Sequence, residues 1–111
     1  MKKYGLIVLG GGFAGVCAAI SAARNGVKVL LIEKYNCLGG AAVSCLVMPF
    51  MKYWSNHPET NEKIILSGNI FTEIISELDN FGGALSADKQ DFDEETLKLI
   101  LNRMCIKYGV E

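Results

Sequence analysis

The sequence predicts an α/β fold that begins with one βαβ unit, and three consecutive segments carry this prediction. Residues 4–9 (YGLIVL) form a continuous apolar run, which is typical of a parallel strand buried on both faces. Residues 13–25 are rich in alanine, a strong helix former, and Asn25-Gly26 is a typical helix end. Residues 27–32 (VKVLLI) form a second apolar run. Parallel strands need a crossover of this kind, which is nearly always right-handed.

Beyond the βαβ unit, which we assign to residues 4–33, the sequence predicts a long loop and two helices. Residues 34–61 contain two glycines, both prolines and the only Trp and His, and an irregular segment of this length usually indicates a functional loop. Residues 62–109 form a helical segment. We expect its first helix over residues 62–79 and its second over 93–108, with apolar stripes at Ile70, Phe71, Ile74, Ile75 and Leu78, and at Leu97, Ile100, Leu101, Met104 and Tyr108.

The second of these helices has recognisable signals at both ends. Asp91 or Asp93 can act as its N-cap, and Gly109 is expected to end it. Val110 could then begin a further strand.

The composition of the 111 residues suits one small domain and argues against several classes of partner. Half of the residues are hydrophobic, and the formal net charge of -1 does not indicate a nucleic-acid partner. No apolar run approaches the roughly 20 residues that span a bilayer, and the run at 6–9 is too short for a signal peptide. We therefore expect a cytoplasmic protein without nucleic-acid or membrane partners.

The four cysteines show no metal-binding spacing, and no metal site is predicted. Without an export signal, reduced thiols are expected. Cys37 and Cys45 flank a pair of glycines, where a flavin-linked disulfide and two loop thiols without a catalytic role are alternatives. We expect the latter.

A glycine motif, Gly10-x-Gly12-x-x-Gly15, lies between the first strand and the helix, which is the context that a dinucleotide-binding fingerprint requires. The first glycine permits a tight turn, the second lets a pyrophosphate approach, and the third lets the helix pack on the strand. Glu33 ends the second strand, where an acidic residue accepts hydrogen bonds from an adenosine ribose and disfavours NADP. The alternative is a glycine-rich turn that binds nothing.

A second glycine pair, Gly39-Gly40, follows the second strand closely. Its backbone N–H groups could approach another part of the dinucleotide, near the pyrophosphate and ribityl chain. A simple loop turn is the alternative interpretation, and the residues alone leave both open. The fingerprint by itself does not separate FAD from NAD.

The sequence resembles FAD-dependent oxidoreductases with a glutathione-reductase-like nucleotide-binding fold. The first βαβ unit of that family is similar to GGGFAGVCAAISAARNGVKVLLIEK. A narrower bacterial subgroup is similar to LGGAAVSCLVMPFMKYW and to the helical segments GNIFTEIISELDNFGGA and FDEETLKLILNRMCIKYGVE. The resemblance covers nearly the whole chain. The implied fold is a partial Rossmann-like FAD/NAD(P)-binding fold, with residues 1–111 as an incomplete N-terminal FAD-binding domain.

The resemblance also implies FAD as the cofactor and assigns residues to its parts. It places the motif glycines at the pyrophosphate, Glu33 at the ribose and Lys34 beside the adenosine. Gly39, Gly40 and Ala41 would flank the pyrophosphate or flavin side, and residues 44–47 would approach the isoalloxazine. The complete predicted cofactor-binding set is Gly10, Gly12, Phe13, Ala14, Gly15, Glu33, Lys34, Gly39, Gly40 and Ala41.

These observations predict an N-terminal segment that binds the ADP moiety of FAD in an oxidoreductase acting on an unknown small molecule. No catalytic residue is assigned, and we expect the segment alone to be inactive because family members are several times longer. The alternatives are a non-catalytic dinucleotide-binding module and an NAD-binding domain. We expect a homo-oligomer or a C-terminal remainder to cover the apolar edge of the first strand.

Overall fold

The computed structural model describes residues 1–111 and has the α/β architecture that the sequence predicts. Its elements, in chain order, are β1 (Leu6–Leu9), α1 (Phe13–Arg24), β2 (Val29–Ile32), α2 (Ala41–Ser44), β3 (Trp54–Asn56), β4 (Lys63–Ile65), α3 (Ile70–Asn80) and α4 (Glu94–Lys107). The predicted βαβ unit is confirmed, with each strand two residues shorter at its start. The helix α1 ends at the predicted place, because Gly26 adopts a φ of +79° that stops the helix.

The first sheet is parallel, and its pairing extends beyond the two assigned strands. Leu6 of β1 lies opposite Val29 of β2, and the register continues to Leu9 and Ile32. On the far side of β2, the Glu111 N–H donates to the Val29 carbonyl at 3.1 Å, and the Leu31 N–H donates to the Glu111 carbonyl at 2.7 Å. Glu111 therefore pairs with β2 as a third parallel strand would, which agrees with the strand expected from Val110 onward.

The hydrophobic core lies between the three longer helices rather than around the sheet. It consists of 15 buried residues: Val16, Ile20, Ala42, Val43, Tyr53, Ile70, Ile74, Ile75, Leu78, Phe92, Leu97, Ile100, Leu101, Met104 and Cys105. The ring of Phe50 makes edge-to-face contacts with the rings of Phe13 and Phe71, each at 5.3 Å between centroids. It also stacks on the ring of Phe92 at 4.3 Å. Both apolar helix stripes predicted from the sequence face this core, with Phe71 and Tyr108 only half-buried.

The segment between the sheet and α3 is more regular than predicted. Residues 34–61 contain the short helix α2 and the strand β3, which pairs antiparallel with β4 so that Trp54 lies opposite Ile65. The prediction that a helix begins at residue 62 was wrong, since α3 starts at Ile70. The β-branched residues Ile64 and Ile65 of β4 pair with β3 instead. Asn69, with a φ of +61°, has a non-helical backbone conformation directly before α3, so the helix cannot extend through it.

The helix α4 has the capping that the sequence predicts. Asp93 is its N-cap, and its carboxylate accepts hydrogen bonds from the Thr96 N–H at 2.7 Å and the Thr96 hydroxyl at 2.6 Å. Gly109, with a φ of +71°, follows the end of the helix. The cap and the terminating glycine fix the length of α4, which contributes five of the core side chains.

No helix combines the length and the hydrophobicity that crossing a membrane requires. All four cysteines are free thiols, so Cys37 and Cys45 form no disulfide.

Candidate cofactor site

The first glycine loop, residues 10–12, brings the start of α1 directly against the end of β1. Gly10 adopts a φ of +99°, which favours glycine, and its N–H donates to the Ile32 carbonyl at 2.8 Å. A Cβ atom added to Gly15 would lie 1.9 Å from the Gly10 carbonyl oxygen. The close approach of helix and strand therefore depends on the absence of a side chain at Gly15, which is the role predicted for the third glycine of the motif.

No side chain of the protein caps the backbone N–H groups at the N-terminus of α1. Its N-cap, Gly12, has no side chain, and its first turn contains no acidic residue. The first N–H groups of a helix have no partner within the helix, and the helix dipole makes this end partly positive. A Cβ atom added to Gly12 would meet only the Gly40 Cα atom, at 3.8 Å, so the backbone is open to an approaching anion.

Phe13 and Ala14, the two residues between the last glycines of the motif, differ in their orientation. The Phe13 side chain packs against the core and the Phe50 ring, whereas Ala14 is exposed. The backbone N–H of Phe13, at the first position of α1, is therefore the group that it can offer to an anion.

The Glu33 carboxylate is held in place by two backbone groups. Its Oε1 atom accepts from the Tyr35 N–H at 2.9 Å, and its Oε2 atom accepts from the Gly11 N–H at 2.6 Å. The hydrogen bond from the Tyr35 N–H and, to a smaller extent, the one from the Gly11 N–H keep the pKa of Glu33 below its ordinary value. The side chain is therefore ionised at neutral pH. Each oxygen of an ionised carboxylate has two acceptor positions, which leaves capacity for a hydroxyl donor of a ligand.

The second glycine loop, Gly39-Gly40, packs its backbone against the first. The Gly39 N–H donates to the Gly11 carbonyl at 2.8 Å, and a Cβ atom added to Gly40 would lie 2.9 Å from the Gly12 Cα atom. Both residues have positive φ angles, +117° and +56°. The two glycine loops thus form one contiguous backbone surface. The role of Gly11 in this surface was not predicted from the sequence, because any residue can occupy that position of the glycine motif.

A shallow cleft of about 370 Å³ brings several of the predicted residues together; its lining consists of Leu9, Gly10, Ile32, Glu33, Lys34, Tyr35 and Gly40. Ala41 follows this cleft as the exposed first residue of α2. The Lys34 ammonium lies 4.7 Å from the centre of the Tyr35 ring, and both residues line the cleft. A larger cavity of about 470 Å³ between α3 and α4 includes none of the predicted residues.

A parallel βαβ unit with an uncapped helix N-terminus beside a fixed carboxylate defines the class of dinucleotide-binding proteins. Comparison with known proteins narrows this class. The family described as FAD dependent oxidoreductase matches residues 5–111, nearly the whole chain. The chain belongs to this family of FAD-dependent oxidoreductases, and its cofactor is FAD, as the resemblance implies. The match favours FAD over the NAD alternative.

Curated relatives agree with this assignment. The chain is similar to glutathione reductase of Debaryomyces hansenii, with 33% identity over 114 residues that cover 100% of this chain and 23% of the relative. It is also similar to glutathione reductase of Schizosaccharomyces pombe, with 39% identity over 54 residues (49% of this chain, 12% of the relative). A dihydrolipoamide dehydrogenase of Chaetomium thermophilum shows 41% identity over 51 residues (46% and 10%). The chain thus spans about a quarter or less of the length of these relatives.

Proposed function

We propose that residues 1–111 hold the ADP half of FAD in the cleft between the first glycine loop, Glu33 and Gly40. The observation that carries this proposal is the uncapped N-terminus of α1 next to an ionised carboxylate. A pyrophosphate needs N–H donors and a positive potential, and the ribose beside it needs acceptors for its hydroxyl groups. The N-terminus of α1 fits the first requirement, and the Glu33 carboxylate fits the second.

The proposal assigns roles to five of the predicted residues. The backbone N–H groups of Phe13, Ala14 and Gly15 donate to the pyrophosphate, which also gains from the helix dipole. Glu33 accepts from the ribose hydroxyl groups, and its charge repels a 2′-phosphate. Lys34 lies beside the adenosine.

When bound, FAD supplies the redox chemistry, whereas this chain binds and orients the end of the cofactor that does not react. The proposed enzyme is an oxidoreductase acting on an unidentified small molecule in the cytoplasm. We assign no catalytic acid or base to these residues, and residues 1–111 constitute the N-terminal part of the FAD-binding domain.

We also propose that additional polypeptide covers the parallel sheet, because apolar residues of its strands are exposed. On β1, Ile7 is 54% exposed and Leu9 is 78% exposed, and Ile32 at the end of β2 is 46% exposed. Parallel sheets in proteins are covered on both faces, and an apolar strand edge promotes pairing with another chain. Either a second copy of this chain or the remainder of a longer enzyme would cover these residues.

The experiment that tests the proposed function compares ligands that contain different parts of FAD. The purified chain is titrated with FAD, ADP and FMN by isothermal calorimetry, and retention of flavin absorbance is followed through gel filtration. We expect FAD and ADP to bind with similar affinities and FMN to bind at least tenfold more weakly, because FMN lacks the adenosine and the pyrophosphate. Equal binding of FMN and FAD without binding of ADP would contradict the proposal.

A further inference from the structure

Gly11 is the residue at which the two glycine loops and Glu33 meet. Its N–H donates to the Glu33 Oε2 atom at 2.6 Å, and its carbonyl accepts from the Gly39 N–H at 2.8 Å. The residue is buried although it lies in a loop. Both of its backbone hydrogen-bonding groups are therefore used to connect segments that are distant in the sequence.

The surroundings of Gly11 leave no room for a side chain. A Cβ atom added there would lie 2.4 Å from the Leu38 Cδ2 atom and 3.2 Å from both the Cβ and the Oε2 atoms of Glu33. Leu38 is half-buried and packs against the hydrophobic core, so moving its side chain away from Gly11 would disturb those contacts. The backbone angle is not the reason for glycine at this position, because the φ angle of Gly11 is not positive. The constraint comes from the side chains of Leu38 and Glu33, which pack against Gly11.

We propose that Gly11, Glu33, Leu38 and Gly39 form a latch that positions the cofactor site before FAD binds. The latch fixes the Glu33 carboxylate relative to the N-terminus of α1, and it fixes the second glycine loop relative to the first. Gly11 is then a positioning residue that acts through groups on other residues. This inference rests on the proposed function, because it assigns the latch to the same ADP site.

The latch makes a specific prediction for a double-mutant cycle. Gly11→Ala introduces the clash with Leu38, and we expect it to weaken FAD binding at least about fivefold, the lower limit of what overpacking costs. Leu38→Ala removes the closest atom, at 2.4 Å, and leaves only the two contacts with Glu33 at 3.2 Å, so the additional Gly11→Ala substitution in that background should cost less than about twofold. Gly68→Ala is the matched control, because a Cβ atom at Gly68 has nothing within 4 Å. We expect this control to bind FAD as the unchanged chain does.

Amide hydrogen exchange tests the latch without any ligand. In the unchanged chain, the Gly11, Tyr35 and Gly39 amides should be protected, since all three donate to the latch or its carboxylate. Gly11→Ala should accelerate exchange at Tyr35 and Gly39. Glu33→Gln adds no volume but replaces one carboxylate oxygen with a donor, so it should accelerate exchange at Gly11 or Tyr35 even if the alanine variant does not fold.

The possible outcomes separate the two proposals. A chain that binds neither FAD nor ADP but shows the expected exchange pattern contradicts the proposed function and leaves the latch standing as a structural device. Unchanged exchange at Tyr35 and Gly39 in Gly11→Ala, or an equal loss of FAD affinity with and without Leu38, overturns the latch.

Discussion

The glycine loops and the pair of long helices are stabilised in opposite ways. At the glycine loops, backbone atoms pack directly on backbone atoms, as where Gly15 meets the Gly10 carbonyl and Gly40 meets Gly12. Between α3 and α4, side chains such as Ile74 fill the space and are fully buried. Positions such as Gly15 and Gly40 in the first region therefore have no room for an added side-chain atom, whereas removing a buried side chain in the second region leaves a cavity.

This difference separates binding from stability within one small chain. The groups proposed to hold FAD lie at the ends of β1 and β2, outside the 15-residue core. Substitutions in the core should lower the free energy of unfolding and leave the affinity of the folded chain unchanged. Substitutions in the glycine loops should weaken FAD binding. They should lower the free energy of unfolding by less than substitutions in the core do.

The largest effect on stability is expected from Phe92→Ala. Phe92 is completely buried and stacks on Phe50 at 4.3 Å between ring centroids. Truncation of a buried phenylalanine costs about 3–5 kcal/mol, because apolar contacts are lost and a cavity remains. Urea unfolding would measure this loss.

Phe81→Ala is the matched control for this change. Phe81 is 45% exposed and its ring interacts with the Arg103 guanidinium at 4.8 Å, so its truncation should cost only about 1 kcal/mol. A similar loss of stability in both variants would show that the free energy of unfolding does not depend on the burial of core side chains such as Phe92.

The two regions also differ in how well the sequence predicts them. The βαβ unit follows from local patterns, because the apolar runs and the glycine motif lie next to one another. The hairpin of β3 and β4 was missed, since its pairing of Trp54 with Ile65 depends on contacts that no local period reveals. The constraint on Gly11 was missed for a related reason. It is imposed by Leu38 and Glu33, which reach Gly11 only in the folded chain.

An intermediate effect is expected from Gly15→Ala, which tests the intolerance of the glycine loops to added atoms. The new Cβ atom would lie 1.9 Å from the Gly10 carbonyl oxygen, and both atoms belong to or adjoin rigid backbone. Separating α1 from β1 should cost about 1–3 kcal/mol of stability and weaken FAD binding about tenfold or more. Denaturant unfolding and FAD titration of the same preparation measure the two quantities.

Gly68→Ala serves again as the control for Gly15→Ala, because it adds the same atom at an unobstructed position outside both regions. If the Gly15 variant lost stability but bound FAD with unchanged affinity, the start of α1 would not be part of the binding site, and the comparison between the two regions would fail.

The smallest effect is expected at Asp93, where pH provides the measurement. The hydrogen bond from the Thr96 hydroxyl and, to a smaller extent, the one from the Thr96 N–H keep the pKa of Asp93 below its ordinary value. A group whose pKa is lowered by folding stabilises the fold above its unfolded pKa of about 3.9, and this contribution is lost as the pH falls through the lower folded value. Asp93→Ala should therefore cost about 1 kcal/mol at neutral pH, as loss of an N-cap does, and the difference should shrink below about pH 4.

Asp93→Asn separates the charge from the hydrogen bond in this measurement. Asparagine also caps helices well but does not titrate, so the stability of this variant relative to Asp93→Ala should not change with pH. Unfolding in urea at several pH values, from about pH 7 to about pH 3, measures all three proteins on one scale. A gap between the unchanged chain and Asp93→Ala that is constant over this range would mean that the ionised carboxylate does not stabilise α4. Because Asp93 lies in the helix pair, FAD affinity at neutral pH should be the same in all three.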